Sequence, residues 1–291
     1  MTQIGVQLHT FRDVDDEYPA MLRRVAESGY KGVEFAHEIH DADTRTVASV
    51  LSETGLTPVS AHVKLSHLER EFESLLEQYA TLGCSTLVIP HVSGTWFLTA
   101  ERVDALARRL NDLADRLDDR GFELAVHNNK AMHRPLVGEY GFDRVVESDI
   151  VPTGGAIHAA SVMNQVLPGR LGQTTGFDRL LTATDGLRFE IDVEHAVGTG
   201  RDPLRLFAAA GDRLFAVHLS DGTRTRMFPP AHRSTPLGDG SVDIDQYVRG
   251  AIQYEVEWLI GEVDDPPDPA LAFESIMAQI EDSRPQARPA P

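Results

Sequence analysis

Four side chains that can bind a divalent metal each stand at the end of a short apolar run. The runs FELAVH, LRFEID, LFAVH and WLIGE end at His127, Asp192, His218 and Glu262. Two imidazoles and two carboxylates can hold one divalent ion, and a bound ion can act as a Lewis acid toward a carbonyl. The pattern predicts a metal site if the ends of the four runs meet in the fold.

Eight apolar runs alternate along the chain with amphipathic stretches of helical spacing. Short runs rich in Val, Ile, Leu or Phe and followed by turn residues are typical of buried parallel strands. Their alternation with helices predicts the α/β class, here a single (β/α)8 TIM barrel over residues 1–282 with a disordered tail at 283–291. The carboxyl ends of all barrel strands lie on one face, so the four donors should converge. The predicted strands are 4–9, 30–35, 56–62, 85–91, 122–127, 187–192, 214–219 and 257–262.

Two connections are much longer than usual for a barrel of this kind. One runs from Asn128 to about Gly176, after the fifth strand, and the other from Ser220 to Val242. Both follow a strand that ends in a candidate ligand, which favours lids or substrate contacts. The alternative for the first is a surface insertion without chemistry.

Composition excludes several classes of function. The net charge is −18 and only three residues are lysines, which disfavours nucleic-acid binding. The N-terminus has no signal-peptide pattern and no apolar run approaches about 18 residues, which predicts a cytoplasmic protein without a membrane partner. The acidic, lysine-poor surface suggests a halophilic source, with an ordinary acidic enzyme as the alternative. The lone Cys84 is expected to be a packing residue.

Five motifs resemble a known family. They are GVQLHTFRD, FEIDVEHA, VHLSDG, PLGDGSVDI and IGEVD, and they follow one another in the family's order across nearly the whole chain. The chain resembles the xylose isomerase-like TIM barrels, the sugar (phosphate) isomerase and epimerase superfamily. That resemblance implies a small-molecule sugar, keto-sugar or polyol substrate. It also leaves a homo-oligomer open.

The resemblance implies a divalent ion, Mn, Co, Mg or Zn, held by the four strand-end donors His127, Asp192, His218 and Glu262. Chemistry would pass through an enediolate, with Glu262 as the base. Isomerisation or epimerisation is the leading interpretation, and a metal-dependent lyase or dehydratase of the inosose or keto-glycoside type is the close second. A non-catalytic sugar-binding barrel is the remaining alternative. The DNA-repair endonucleases that share this barrel are disfavoured by the acidic charge.

The chain departs from the family pattern at the first ligand. Most isomerases have Glu there, and a related branch has a His-Asn-His motif, whereas this chain reads His127-Asn128-Asn129. An imidazole can act as acid or base near neutral pH, so His127 and His62 join Glu262 as catalytic candidates.

Other side chains on the same predicted face are candidates for substrate binding. The alternative role for these residues is a salt bridge, a packing contact or, for Arg224, a solvated side chain. Asp221 is expected to orient His218 or its loop. His91 and His195 are also candidate proton carriers. The substrate-binding candidates are Gln7, His9, Glu34, His91, Trp96, Asn129, His195 and Arg224.

Overall fold

Eight parallel strands close into a barrel in which the first strand pairs with both the second and the last. This computed structural model describes residues 2–36, 39, 42–136, 174–227 and 230–284. The closed parallel barrel with intervening helices confirms the predicted (β/α)8 architecture. A two-stranded antiparallel hairpin, β8 and β9, follows the seventh barrel strand. The strands are β1 Gln3–Gln7, β2 Gly32–Phe35, β3 Thr57–His62, β4 Thr86–Ile89, β5 Glu123–His127, β6 Arg188–Asp192, β7 Leu214–Leu219, β8 Asp221–Met227, β9 Pro230–Thr235 and β10 Trp258–Gly261.

The helices of the described residues connect the strands on the outside of the barrel. Short 3-10 segments occur at Leu8–Phe11, Gly94–Phe97 and Gly211–Arg213. None of the described helices is long and apolar enough to cross a membrane. The α-helices are α1 Tyr18–Glu27, α2 Thr44–Thr54, α3 Leu65–Arg70, α4 Phe72–Leu82, α5 Ala100–Asp118, α6 Gly176–Ala183, α7 Val193–Val197, α8 Pro203–Ala210, α9 Ile244–Gln253 and α10 Pro269–Asp282.

Two predicted strands end earlier than their apolar runs suggested. β1 stops at Gln7, whose side chain accepts the backbone N–H of His9 and caps the 3-10 segment that follows. β4 stops at Ile89 because the next residue, Pro90, has no N–H for the strand ladder. The prediction that His9 and His91 end strands is therefore wrong by two residues in each case.

The floor of the barrel interior is apolar and sits beneath the predicted ligands. Side chains two residues apart on a strand point to the same side, so Trp258 and Ile260 lie below Glu262. Both belong to a buried cluster contributed by several barrel strands. The indole needs the glycine at position 32, where a Cβ would lie 2.6 Å from the ring. The apolar cluster therefore forms the layer below Glu262.

Asp221 anchors the base of the hairpin after β7. Its carboxylate accepts four backbone N–H groups, those of Gly222, Gly238, Gly240 and Val242, over 2.7–3.1 Å. A side chain at Gly240 would overlap this carboxylate. The anchor fixes the hairpin beside the open end of the barrel.

Two predicted regions lie mainly outside the described residues. Of the long segment after β5, residues 137–173 are not described, while its two described ends meet in a bridge between Pro135 and Thr175. Residues 285–291 of the predicted tail are also outside. Ser283 closes α10, and its hydroxyl donates to Asp245 at 2.6 Å.

Candidate metal centre

The four predicted ligands lie together at the carboxyl ends of four neighbouring strands. β5, β6, β7 and β10 are consecutive around the barrel, and each contributes or immediately precedes one donor. Each side chain offers one ligand atom, and all of these atoms lie within 4.8 Å of one another. The donors are His127, Asp192, His218 and Glu262.

His127 is the donor whose surroundings point most directly to an ion. Its side chain is buried, yet neither ring nitrogen has a hydrogen-bond partner among the described residues. Burial, followed by the nearby His218, lowers the pKa of His127 well below its usual value, which keeps the ring neutral with a free lone pair. Buried polar atoms are normally hydrogen-bonded, so an orphaned imidazole facing two carboxylates and a second imidazole fits a metal ligand.

Asp192 is held in an ionised and fixed state. Burial alone would raise its pKa, but the imidazoles of His195 and His127 and the backbone N–H of His195 lower it to about 2. Ser220 donates its hydroxyl to Oδ2 at 2.8 Å, and His195 donates its N–H to Oδ1 at 2.8 Å. The Asn128 amide accepts the backbone N–H of Asp192 at 2.6 Å and donates to its carbonyl at 3.2 Å. These contacts position a carboxylate that is ready to bind a cation.

His218 lies between two sets of carboxylates. Its Nδ1 is 3.0 Å from Glu262 Oε2, and its Nε2 is 2.8 Å from Glu34 Oε1. Burial alone would lower the pKa of His218. The charges of Glu190 and Glu34 outweigh burial, so the pKa lies well above its usual value. A divalent ion between Nδ1 and Glu262 would take the place of a proton, as metal binding at a histidine requires. The residues present therefore fit a divalent metal.

A second cluster, called here the deeper cluster, is made of His218, Glu34, Glu190 and His62 and begins below the proposed ligands. Glu34 and Glu190 are fully buried, and His62 contacts both, with Nε2 at 3.0 Å from Glu34 Oε1 and 3.1 Å from Glu190 Oε2. Burial raises the pKa of Glu34, but the imidazoles of His62 and His218 outweigh it and lower the pKa well below the usual value. Burial, followed by the charge of Glu34, raises the pKa of Glu190. Sequence reasoning missed Glu190, although its position two residues before Asp192 places both side chains on one face of β6.

A cavity of about 240 Å³ opens over these donors. His195 lines it, with Nδ1 at 3.1 Å from Glu194 Oε2, and the Lys130 ammonium donates to Glu194 Oε1 at 2.9 Å. Burial lowers the pKa of His195, whereas Asp192 and Glu194 raise it more. The imidazole of His195 thus lies on the cavity wall, next to the proposed ion. The residues that line the cavity include His62, His127, Lys130, Asp192, Glu194, His195, Ser220, Glu262 and Asp264.

Several predicted substrate-binding residues serve other contacts. Asn129 is buried and caps a turn, accepting the N–H of Ala131 at 2.9 Å and donating to the carbonyl of Val92 at 2.9 Å. Trp96 packs against the core, and the side chain of His91 is exposed beyond the end of β4.

The remaining predicted residues divide in the same way. Glu34 lies in the deeper cluster and Gln7 donates a hydrogen bond to it, and neither side chain lines the cavity. His9 is half-buried just after β1, and the side chain of Arg224 lies outside the described residues. Of the substrate-binding predictions whose side chains the structure describes, His195 is the one that lines the cavity.

The fold matches solved structures over almost the whole chain. A sugar phosphate isomerase/epimerase from Parabacteroides distasonis superposes with a TM-score of 0.70 at 17% identity, covering 97% of both chains. The fold is that of the xylose isomerase-like TIM barrels. The IolI protein with a bound zinc atom gives a TM-score of 0.66 at 14% identity, over 97% of this chain and 96% of that one. The probable 3-DHS dehydratase AsbF from Bacillus anthracis gives 0.62 at 12% identity, over 97% and 98%.

Comparisons of sequence alone add nothing to this likeness. No protein-family model matches the chain. No curated protein matches it either. At identities of 12–17% the likeness establishes the fold, and a shared fold does not fix the reaction.

Proposed function

We propose that this protein is a divalent-metal-dependent isomerase or epimerase acting on a sugar, keto-sugar or polyol. The observation that carries the proposal is the convergence of two imidazoles and two carboxylates within 4.8 Å at the open end of the barrel. The ring nitrogens of His127 also support the proposal, because both are buried and neither has a hydrogen-bond partner among the described residues.

The proposed ligands are His127, Asp192, His218 and Glu262. When bound, the ion would supply a Lewis acid that polarises a substrate carbonyl and makes the neighbouring carbon more acidic. Zinc is present in the IolI neighbour, and a site with two imidazoles is compatible with the same metal here.

Two side chains on the cavity wall are suited to moving the proton. Glu262 is only 13% exposed and presents its carboxylate between His218 and the cavity. We assign it as the base that removes a proton from the carbon next to the carbonyl. His195, oriented by Glu194 and by its own backbone N–H on Asp192, is the second proton carrier.

Dehydration is the second candidate function. It shares the first proton transfer with isomerisation and differs in expelling a β-hydroxyl. The observation that favours it is His127, because an imidazole replaces the second carboxylate base of a two-base epimerase. The AsbF neighbour is described as a probable dehydratase, and a lyase would use the same base, Glu262.

Metal content tests the site directly. Asp192→Ala and Glu262→Ala should each lose bound metal relative to the wild type, measured per folded chain after dialysis. Glu257→Ala is the matched control, because Glu257 is exposed at the opposite end of the same strand region. Full metal occupancy in both site variants would exclude the proposed centre.

Solvent exchange tests the chemistry. The metal-loaded protein, incubated with a panel of keto-sugars in deuterated water, should incorporate deuterium at the carbon next to the carbonyl. Loss of a hydroxyl in the product would identify a lyase, and a rearranged or inverted product an isomerase or epimerase. Metal binding without exchange on a broad panel would favour a sugar-binding barrel.

A further inference from the structure

The deeper cluster is built as a closed ring of four groups. His218 Nε2 lies 2.8 Å from Glu34 Oε1 and 3.2 Å from Glu190 Oε1, and His62 Nε2 contacts the same two carboxylates at 3.0 and 3.1 Å. Each imidazole therefore faces two carboxylates, and each carboxylate faces two imidazoles. Three of the four side chains are fully buried, and that of His62 is 14% exposed. Two carboxylates buried in this way require hydrogen-bond donors or a cation to offset the loss of their solvation.

A second divalent ion is one way to satisfy the ring. Four ligands at bonds of about 2.1 Å, arranged as a tetrahedron, stand about 3.4 Å from one another. The four nitrogen–oxygen contacts here measure 2.8–3.2 Å, so an ion would require an expansion of a few tenths of an ångström. Distance alone does not decide between an ion and N–H donors. The decision comes from the far side of the His62 ring.

Gln7 faces the other nitrogen of His62. The Gln7 side-chain NH₂ donates to Glu34 Oε1 and lies 3.2 Å from His62 Nδ1. The orientation of this amide is fixed, since its oxygen accepts the backbone N–H of His9 at 3.0 Å. A neutral imidazole that bound an ion through Nε2 would carry its hydrogen on Nδ1, pointing at a donor. Gln7 thus favours a hydrogen on His62 Nε2 and disfavours an ion there.

We propose that Glu34 and Glu190, with Gln7, form a tautomer clamp that keeps the hydrogens of His62 and His218 on Nε2. This inference rests on the proposed metal centre, because its effect is to turn the Nδ1 lone pair of His218 toward the ion. Ligating histidines commonly donate their second N–H to a carboxylate, which orients the ring and strengthens the ligand. The clamp also engages both nitrogens of His62. That makes His62 a positioning residue and removes it from the proton carriers predicted from the sequence.

The two carboxylates of the clamp are held differently. Glu34 accepts hydrogen bonds from Gln7, Ser60 and His218, the hydroxyl of Ser60 lying at 2.6 Å. Glu190 has one hydrogen-bonded oxygen, and its Oε1 has no hydrogen-bond partner among the described residues although it faces His218 Nε2. Substitution of Glu190 should therefore disturb the ring and leave the hydrogen bonds from Gln7 and Ser60 to Glu34 in place.

Zinc affinity measures the clamp without reference to catalysis. In competition with a chromophoric chelator, Glu190→Gln should bind zinc about 10–100-fold more weakly than the wild type, because the amide turns one contact with an N–H into a donor–donor contact. Stoichiometry should remain one zinc per chain in both. Glu123→Gln, at the opposite end of β5, is the matched control and should match the wild type. An unchanged affinity in folded Glu190→Gln, or two zinc ions per wild-type chain, would overturn the clamp.

¹⁵N NMR of the wild-type protein shows directly which ring nitrogen of each histidine carries the hydrogen. Protein labelled with ¹⁵N-histidine and loaded with zinc should show His62 and His218 with the hydrogen on Nε2, the His62 signals being identified by their loss in His62→Gln. A hydrogen on Nδ1 alone of His62 would refute the clamp whether or not the Glu190→Gln variant folds. A protein that binds no zinc would refute the proposed function, whereas the His62 tautomer would still be read from the same spectrum.

Discussion

The imidazole of His127 lies 3.8 Å from the carboxylate of Asp192, measured from Nε2 to Oδ2, which is too far for a hydrogen bond. The separation is close to the edge of a tetrahedron around a bound ion, about 3.4 Å. With both ring nitrogens of His127 buried and unpartnered among the described residues, the pair forms one side of the proposed metal site.

The nature of the first ligand should set metal preference. Imidazole favours zinc and other late transition metals, whereas carboxylates favour magnesium and manganese. We expect His127→Glu to lower the ratio of zinc affinity to magnesium affinity by at least about tenfold, with the fold unchanged. Titration of the metal-free wild type and variant with each ion gives the ratio. An unchanged ratio would show that His127 does not bind the ion.

The proposed metal ligands could be predicted from the sequence because each follows or closes a strand. Donors that close apolar runs share one face of a parallel barrel, so the convergence of Asp192 and His218 follows from topology alone. The same reasoning failed at His91, because Pro90 ends β4 before the polar residue is reached. An apolar run shows that a strand exists, but the ladder of hydrogen bonds decides its last residue.

The tautomer clamp could not be read from the sequence. Glu34 and Glu190 are 156 positions apart in sequence numbering, on β2 and β6, and they meet only through the side chains between them. Period-two spacing before Asp192 predicts that Glu190 points inward, yet not which groups it meets. The direction of the Gln7 amide depends on a backbone N–H in a 3-10 segment that the sequence suggested was strand.

His133 should make the protein sensitive to acid. Burial, followed by the charges of Arg201 and His195, lowers its pKa from 6.5 to about 3. The unfolded chain therefore binds a proton more readily, so this contribution to stability is complete above pH 6.5 and is lost as the pH falls toward 3. Between pH 7.5 and pH 5 we expect protonation linked to His133 alone to lower the free energy of unfolding by about 2 kcal/mol.

Urea unfolding at the two pH values, with a chelator present, measures that loss. The His133→Gln variant should lose less stability than the wild type over the same interval, since glutamine does not titrate. Its amide can still accept from Asn128, which lies 2.7 Å from His133 Nε2. Parallel losses in the two proteins would contradict the buried neutral state of His133.

Asp221 should control the order of the hairpin base. The Asp221→Asn variant replaces one acceptor oxygen by an NH₂ group that faces backbone donors, which should cost about 1–3 kcal/mol for each pair left unsatisfied. Amide hydrogen exchange should accelerate at Gly238, Gly240 and Val242, whose N–H groups the carboxylate accepts. Asp239→Asn, an exposed neighbour, is the control. Equal exchange in the two variants would show that the carboxylate is not the anchor.

Cys84 should report global unfolding through its chemistry. The thiol is buried, its Sγ contacts the carbonyl of Thr86 at 3.6 Å, and burial raises its pKa to about 12. The thiolate is the reactive form, so both access and ionisation suppress reaction with a disulfide reagent in the folded protein. Because it is the only cysteine, labelling at pH 8 should be slow in native buffer and fast in urea, with a midpoint that matches loss of helical circular dichroism. Fast labelling under native conditions would show that α4 and β4 open locally, since Cys84 lies between them.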